Sequence, residues 1–115
     1  MKKRLARIKA VNLRLIDGML FLEIDLDFGC GETQKFIGLR LDRYSEEKRM
    51  SVGTAAGLDY IMKIMRTFNV SSLNRLVMKG CNVIFDDLNT IIGLEEVSYF
   101  GSGRSLVLNQ YDSWF

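Results

Sequence analysis

The sequence predicts an α+β fold of order βββ-α-βββ: an antiparallel β-meander, one central helix, then further antiparallel strands. Three observations support this. Apolar residues alternate with a period of two up to Arg43, one long segment has helical periodicity, and the alternation returns after Gly80. The chain has 115 residues, the size of one ordinary domain, and no linker or repeat divides it. We therefore expect a single domain, residues 1–115, with the helix lying against antiparallel sheet.

The first two strands are predicted by the turn sequence Asp17-Gly18, which lies between two alternating runs. Asp-Gly is a strong signal for a two-residue β-hairpin. This turn pairs apolar residues on one inward face: Leu15 with Leu20, Leu13 with Leu22, and Val11 with Ile24. A one-residue slip would put the two apolar sets on opposite faces of the sheet, so the register is well specified.

The remaining elements follow from periodicity. A third strand from about Lys35 to Arg43 completes the meander, and the charged stretch from Asp42 to Arg49 is predicted to be a solvated connection. A helix is predicted over Thr54–Asn69, with Asn69 as a left-handed stop. Strands of period two follow Gly80. The inward residues of the third strand are Ile37, Leu39 and Leu41, and the inward stripe of the helix is Leu58, Ile61, Met62, Met65 and Phe68.

Composition excludes several classes of function. The net charge is +2, from 16 basic and 14 acidic residues, which is too balanced to favour nucleic acid binding by bulk electrostatics. The chain has no histidine, which removes Ser-His-Asp and Cys-His catalysis and histidine-ligated metals. We expect Cys30 and Cys81 to be free thiols, because they fit no metal spacing and structural disulfides are rare inside cells. No segment approaches a membrane span or a signal peptide, so a cytoplasmic location is expected.

Two patterns have a functional interpretation beside a structural one. Glu23, Asp25 and Asp27 lie on one strand face about 6.5–7 Å apart, a spacing that suits acid/base carboxylates or hard-cation ligands. The solvated face of a sheet is favoured, because Arg14 on the partner strand can neutralise one carboxylate. The Gly53–Gly57 segment can hold an anion at the helix start. No P-loop pattern precedes it, so glycines that allow close helix packing are favoured. We predict no catalytic residue, metal or cofactor.

Aromatic and arginine side chains remain as candidates for binding. Tyr, Trp and Arg are the residue types most enriched at interface hot spots. The predicted partner-binding residues are Arg40, Arg43, Tyr44, Tyr99 and Trp114. Trp114 belongs to an aromatic C-terminal segment that either docks on its own sheet or anchors a partner.

Several short motifs from Leu39 onward carry a family resemblance. They are Leu41-Asp42-Arg43-Tyr44, Glu46-Glu47-Lys48-Arg49, Gly53-Thr54-Ala55-Ala56-Gly57, the Gly80 to Val83 strand, Ile91-Ile92-Gly93-Leu94 and Trp114-Phe115. With these motifs the chain resembles a family of small proteins encoded by bacteriophages, prophages and other mobile elements. The resemblance implies no catalytic residue. It implies a protein that acts against host machinery, including inhibitors of bacterial immunity such as anti-CRISPR proteins.

The resemblance and the candidate residues together give a functional hypothesis. We expect a non-enzymatic phage or prophage accessory protein that binds and inhibits a host factor in the host bacterial cytoplasm. The preferred target is a CRISPR–Cas component, as a protein or ribonucleoprotein complex. Two alternatives stay open: a small nucleotide- or nucleic-acid-binding module, and an assembly protein that forms a homodimer through an edge strand. Direct nucleic acid binding is not favoured, and no membrane partner is expected.

Overall fold

The computed structural model describes residues 2–97 and 105–107. In this part of the chain the strands are β1 (Lys2–Ile16), β2 (Met19–Gly29), β3 (Glu32–Arg40), β4 (Asp42–Ser45), β5 (Met50–Gly53), β6 (Gly80–Phe85), β7 (Ile91–Glu96) and β8 (Ser105–Val107). The helices are α1 (Ala55–Thr67) and a 3-10 turn at Leu73–Leu76. The predicted α+β class is confirmed, with strands before and after one α-helix.

Two antiparallel sheets make up the β-structure. The large sheet has the order β3-β2-β1-β6-β7-β8, and the small one pairs β4 with β5. The small sheet lies between residues 42 and 53, which the sequence analysis treated in part as a solvated connection. Five strands therefore precede the helix instead of three. Within the described residues, no helix is long and apolar enough to cross a membrane.

The β1–β2 hairpin has the predicted register. Asp17 and Gly18 have φ values of 51° and 78°, and Leu15, Leu13 and Val11 lie opposite the expected partners on β2. Two positive φ values in a two-residue loop are the mark of a type I′ turn. The prediction that both apolar sets are buried is wrong for β1, where Leu13 is 52% and Leu15 is 72% exposed. The reason is that β6 pairs only with residues 2–7 of β1, so the sheet is narrower at the hairpin end.

The third strand has a different inward set from the predicted one. Phe36 is buried, whereas Ile37 is exposed. The pairing of β2 with β3 changes register between Phe21 and Glu23, which marks a β-bulge. Because a bulge inserts an unpaired residue, it changes which side chains reach a given face. Leu41, beyond the bulge, is buried as predicted.

Both ends of helix α1 have capping residues. The Thr54 hydroxyl oxygen accepts the Gly57 N–H at 2.9 Å, as an N-cap residue does. At the other end Asn69 adopts φ 53°, and the Val70 N–H donates to the Met65 carbonyl at 2.9 Å. The predicted left-handed stop at Asn69 is therefore confirmed.

Only part of the predicted inward stripe is buried: Phe68 is buried and Ile61 packs against the core, whereas the other side of the stripe faces solvent. Leu58 is 60% exposed and Met62 is also exposed. The side chains of the helix that are buried belong to Tyr60, Ile64 and Thr67, in line with Gly57. A Cβ at Gly57 would collide with the Leu41 carbonyl oxygen and lie 2.7 Å from the Leu41 Cα. This close approach turns the glycine side of the helix toward the sheet and leaves Leu58 outside.

The hydrophobic core lies between the large sheet and α1, closed by the 3-10 turn at Leu73–Leu76. It is one cluster of buried residues contributed by β1, β2, β3, α1, the 3-10 turn, β6 and β7, together with Leu41 and Phe68 from the connections. Its members are Ala6, Ile8, Leu22, Ile24, Leu26, Phe36, Leu41, Tyr60, Ile64, Phe68, Leu76, Cys81, Val83, Phe85, Ile91 and Leu94.

Gly57→Ala tests the close approach of the helix. The added methyl group has no space against the Leu41 backbone, so we expect the free energy of unfolding to fall by about 1–3 kcal/mol, as overpacking does. Urea denaturation measures it. The matched control is Gly53→Ala, because a Cβ at Gly53 meets nothing within 4 Å; it should change stability by less than about 0.5 kcal/mol. Equal effects of both substitutions would contradict this account of the packing.

Candidate functional site

The carboxylate of Asp42 anchors β4 to the large sheet. Its Oδ1 accepts the Leu20 backbone N–H at 3.0 Å and the Arg40 Nε–H at 2.8 Å. The residue is buried although it is charged. A buried carboxylate is tolerated where it is paired and hydrogen-bonded, as it is here. Asp42 therefore fixes the position of the strand that follows it against the start of β2.

This anchored strand presents Arg43 and Tyr44 to solvent. In the β4–β5 pair, Arg43 lies opposite Val52 and Tyr44 opposite Ser51. Tyr44 is 58% exposed, and the Met50 side chain at the start of β5 is exposed to a similar degree. Tyr, Arg and Met are enriched at protein interfaces, and a paired strand holds them with little loss of backbone entropy on binding. Arg43 and Met50 lie on one face of this two-stranded sheet and Tyr44 lies on the other. These three exposed residues are together called the hairpin surface below.

Arg40, one of the predicted partner-binding residues, makes an ion pair within the chain. Its Nε–H is taken up by Asp42, and the side chain is half-buried. A guanidinium used in this way is less available to a partner than the exposed Arg43. The structure places Arg40 and Arg43 beside one surface cavity, and Tyr44 follows Arg43 on β4. Tyr99 and Trp114, the other two predicted residues, lie outside the described residues.

A surface cavity of about 460 Å³ lies beside the hairpin surface. It is lined by Arg40, Asp42, Arg43, Val52, Gly53, Thr54, Ala55 and Ala56. The first turn of α1 points its N–H groups into this region, which is the geometry that binds anions. One of those groups, the Gly57 N–H, already donates to Thr54, and the Arg40 charge already faces Asp42. Arg43 is thus the main cation left for an anionic ligand among the residues that line this cavity.

Two carboxylates of the acidic row on β2, those of Glu23 and Asp25, lie beside cations of neighbouring strands. Glu23 is buried, with Lys35 Nζ at 2.7 Å and Arg14 Nη1 at 3.2 Å from its carboxylate. The hydrogen bond from Lys35, supported by Arg14, holds the pKa of Glu23 below its ordinary value. Asp25 lies 3.8 Å from the same Lys35 Nζ, and Asp27 accepts the Gly29 N–H. The predicted neutralisation by Arg14 is confirmed, and a paired carboxylate of this kind has little capacity to act as a general base.

The described part of the chain has neither a metal-ligand cluster nor a disulfide. No group of three or more His, Cys, Asp or Glu residues there is placed to hold a metal ion. Both cysteines are free thiols, with Cys30 exposed and Cys81 buried, as the sequence predicted. Burial raises the pKa of the Cys81 thiol to about 12, so the reactive thiolate is scarce at neutral pH.

The structure shows one exposed feature that the sequence analysis missed. Beyond Ile8, the edge of β1 that faces away from β2 is not covered by β6, and Leu13 and Leu15 are exposed there. The signal available was length: β1 is a 15-residue strand, whereas β6, which pairs with it, has six residues. A long strand beside a short one must leave part of an edge open.

Comparisons with known proteins do not identify a relative. No protein-family model, curated protein or solved structure matches the chain. The function is therefore argued from the surfaces described above.

The Asp42 anchor predicts how stability responds to acid. The Arg40 hydrogen bond, followed by the Leu20 N–H, lowers the pKa of Asp42 below its ordinary value of about 4. A carboxyl group with a depressed pKa stabilises the fold above its unfolded-state pKa, and this stabilisation is lost as pH falls through the folded-state pKa. We expect Asp42→Asn to be less stable than the parent at pH 7, with the difference shrinking below about pH 4.

Urea denaturation at pH 7, 5, 4 and 3 measures this difference. Arg40→Met is the companion variant, because it removes the largest cause of the pKa shift but keeps the carboxyl group. Its acid transition should begin at a higher pH than that of the parent. Parallel stability curves for the parent and Asp42→Asn across all four pH values would show that the anchor does not couple to folding.

Proposed function

We propose that the chain is a non-enzymatic accessory protein of a phage or prophage that binds and inhibits a host factor through its hairpin surface. The observation that carries the proposal is the rigid presentation of Arg43 and Tyr44 on a strand whose first residue, Asp42, is tied to two other segments. Residues of these types act as hot spots when they are held in place before binding.

The choice of target rests on the family resemblance. Small proteins of mobile elements act against host defence, and the preferred target is a CRISPR–Cas component in the cytoplasm of the host bacterium. A binder of this kind works by occupying a surface that the defence complex needs. It requires exposed, preformed contact residues and no catalytic group, and the hairpin surface meets this requirement.

An interference assay tests the proposal. A strain with an active CRISPR–Cas system is transformed with a targeted plasmid, with and without expression of the chain. We expect expression to restore transformation. Arg43→Glu and Tyr44→Ala should each remove the restoration, because a hot-spot residue contributes about 2 kcal/mol or more, at least a tenfold change in affinity.

Arg75→Glu is the matched control, since Arg75 is an exposed arginine on the 3-10 turn and lies outside the hairpin surface. It should retain the restoration. Purified effector complexes are then passed over the immobilised chain. If transformation is not restored in any of the tested systems and no effector complex is retained, the CRISPR target is wrong. If Arg75→Glu fails as completely as Arg43→Glu, the hairpin surface is not the binding site.

A second candidate function is a small module that binds a nucleotide or nucleic acid. The observation that favours it is the cavity of about 460 Å³ in which Arg43 lies beside the first turn of α1. The occupied Gly57 N–H and the pairing of Arg40 with Asp42 weigh against it.

Salt dependence separates the two candidates. Binding of a fluorescent single-stranded oligonucleotide is measured between 50 and 200 mM salt, and melting is measured with ATP present. A nucleic acid site would lose affinity steeply over this range, and a nucleotide site would raise the melting temperature. Under the leading proposal neither effect is expected. A steep salt dependence that Arg43→Glu removes would favour the second candidate instead.

A further inference from the structure

The upper half of β1 has an open edge. In a two-residue hairpin, the residues next to the turn exchange both backbone hydrogen bonds, and the pattern then alternates along the strand. Ile16, Arg14 and Asn12 therefore direct their N–H and C=O groups to β2. Val11, Leu13 and Leu15 direct theirs to the opposite side. In the described part of the chain that side of β1 has no neighbouring strand beyond the pairing with β6.

The lower limit of the open edge is clear. Among the described contacts, Ile8 is the last residue of β1 with backbone partners on this side: its N–H donates to the Lys79 carbonyl, and its carbonyl accepts the Met78 N–H at 2.7 Å. Above it, the register shift between Ile8 and Ala10 marks a β-bulge, and regular pairing with β2 then continues to Ile16. A second strand can therefore be added along residues 10–16 without displacing any described contact.

The open edge also carries exposed apolar side chains. Leu13 and Leu15 are 52% and 72% exposed, and they lie on the same face as the buried Leu22 of β2. Exposed edges in natural proteins are usually protected by charge, proline or a covering segment. Here the only charged side chain within residues 10–16 is Arg14, which lies on the other face and is paired with Glu23. No described residue thus protects the apolar face of this edge.

We propose that this edge pairs antiparallel with the same edge of a second copy of the chain, around a two-fold axis at Leu13. This register places Leu13 opposite Leu13 of the second copy and Val11 opposite Leu15, so that the exposed leucines face one another. The N–H and C=O groups of all three residues gain partners. On the other face Arg14 lies opposite Asn12. The segment is therefore complementary to itself.

The two neighbouring registers give a less stable strand pair than the register centred on Leu13. A shift that centres the axis on Arg14 places two arginines directly opposite each other, and like charges in that position destabilise a strand pair. A shift that centres it on Asn12 brings Leu15 opposite the bulged region at Lys9 and loses part of the ladder. The register centred on Leu13 avoids both problems. This inference does not rest on the proposed function, because the open edge and the hairpin surface involve different residues.

Mass measurement tests the dimer. Light scattering after size-exclusion chromatography should give a mass that rises with concentration toward twice the 13.2 kDa of one chain. Leu13→Lys should stay at the mass of one chain because it places two lysines directly opposite each other. Leu15→Lys should stay at that mass because it places a lysine opposite the apolar Val11 of the second copy. Leu88→Lys is the matched control: Leu88 is 85% exposed at the β6–β7 turn, away from the edge. Circular dichroism establishes that each variant is folded.

Cysteine cross-linking tests the register. In a Cys30→Ser background, Asn12→Cys and Arg14→Cys chains are oxidised separately and as a mixture. Residues directly opposite in an antiparallel pair have Cβ atoms about 4.5–5.5 Å apart, which small adjustments bring within disulfide reach. The mixture should give a cross-linked species that neither variant gives alone. Cross-linking of Arg14→Cys alone, or of Asn12→Cys alone, would overturn the register.

The remaining outcomes decide whether a second copy of the chain or another protein pairs with the open edge of β1. A mass of one chain at all concentrations would overturn the proposal, and so would a dimer that Leu13→Lys and Leu15→Lys leave intact while both variants are folded. Binding of an extended apolar peptide by a chain that stays monomeric would also overturn it, because it would assign the edge to a strand from another protein. A dimer that only the edge variants dissociate supports the two-fold pairing.

Discussion

The backbone of Leu41 is the contact on which the arrangement of the fold depends. Its N–H donates to the Leu20 carbonyl at 2.8 Å, and its carbonyl accepts both the N–H and the hydroxyl of Thr54 at 3.1 Å. Gly57 packs directly against it. One residue thus joins the start of β2, the β4–β5 hairpin and the first turn of α1. Both the orientation of the helix and the position of Arg43 follow from this junction.

Local chemistry made the hairpin and the helix ends predictable from the sequence. The Asp17-Gly18 turn determines its own register, and Asn69 is suited to a left-handed helix stop wherever the helix lies. The buried face of α1 was not predictable in the same way. Leu58 and Met62 are more apolar than Tyr60 and Thr67, which are buried in their place. The approach of Gly57 to Leu41 is a tertiary contact, and hydrophobic periodicity carries no information about it. The bulges in β1 and β3 escaped prediction for the same reason.

The residue types of the candidate site could be predicted from the sequence, but the contacts that each side chain makes could not. Arg43 and Tyr44 were identified because such side chains recur at interfaces, and they are exposed. Arg40 was grouped with them, yet its guanidinium holds Asp42, since a buried carboxylate requires a partner. The exposed edge of β1 depends on how far β6 extends beside it. Strand length relative to a neighbour is a property of the whole sheet, and no local motif encodes it.

The two strand pairings of β1, with β2 and with β6, also differ in how they form. β2 follows β1 after two residues, so the hairpin closes through contacts that are local in sequence. The pairing with β6 joins Lys2 to Phe85 and requires closure of most of the described chain. Nonlocal pairings of this kind are slow steps in folding. A β1–β2 hairpin that forms before β6 pairs with it has its whole outer edge exposed, from Lys2 to Ile16, and an unpaired strand edge of this kind favours aggregation.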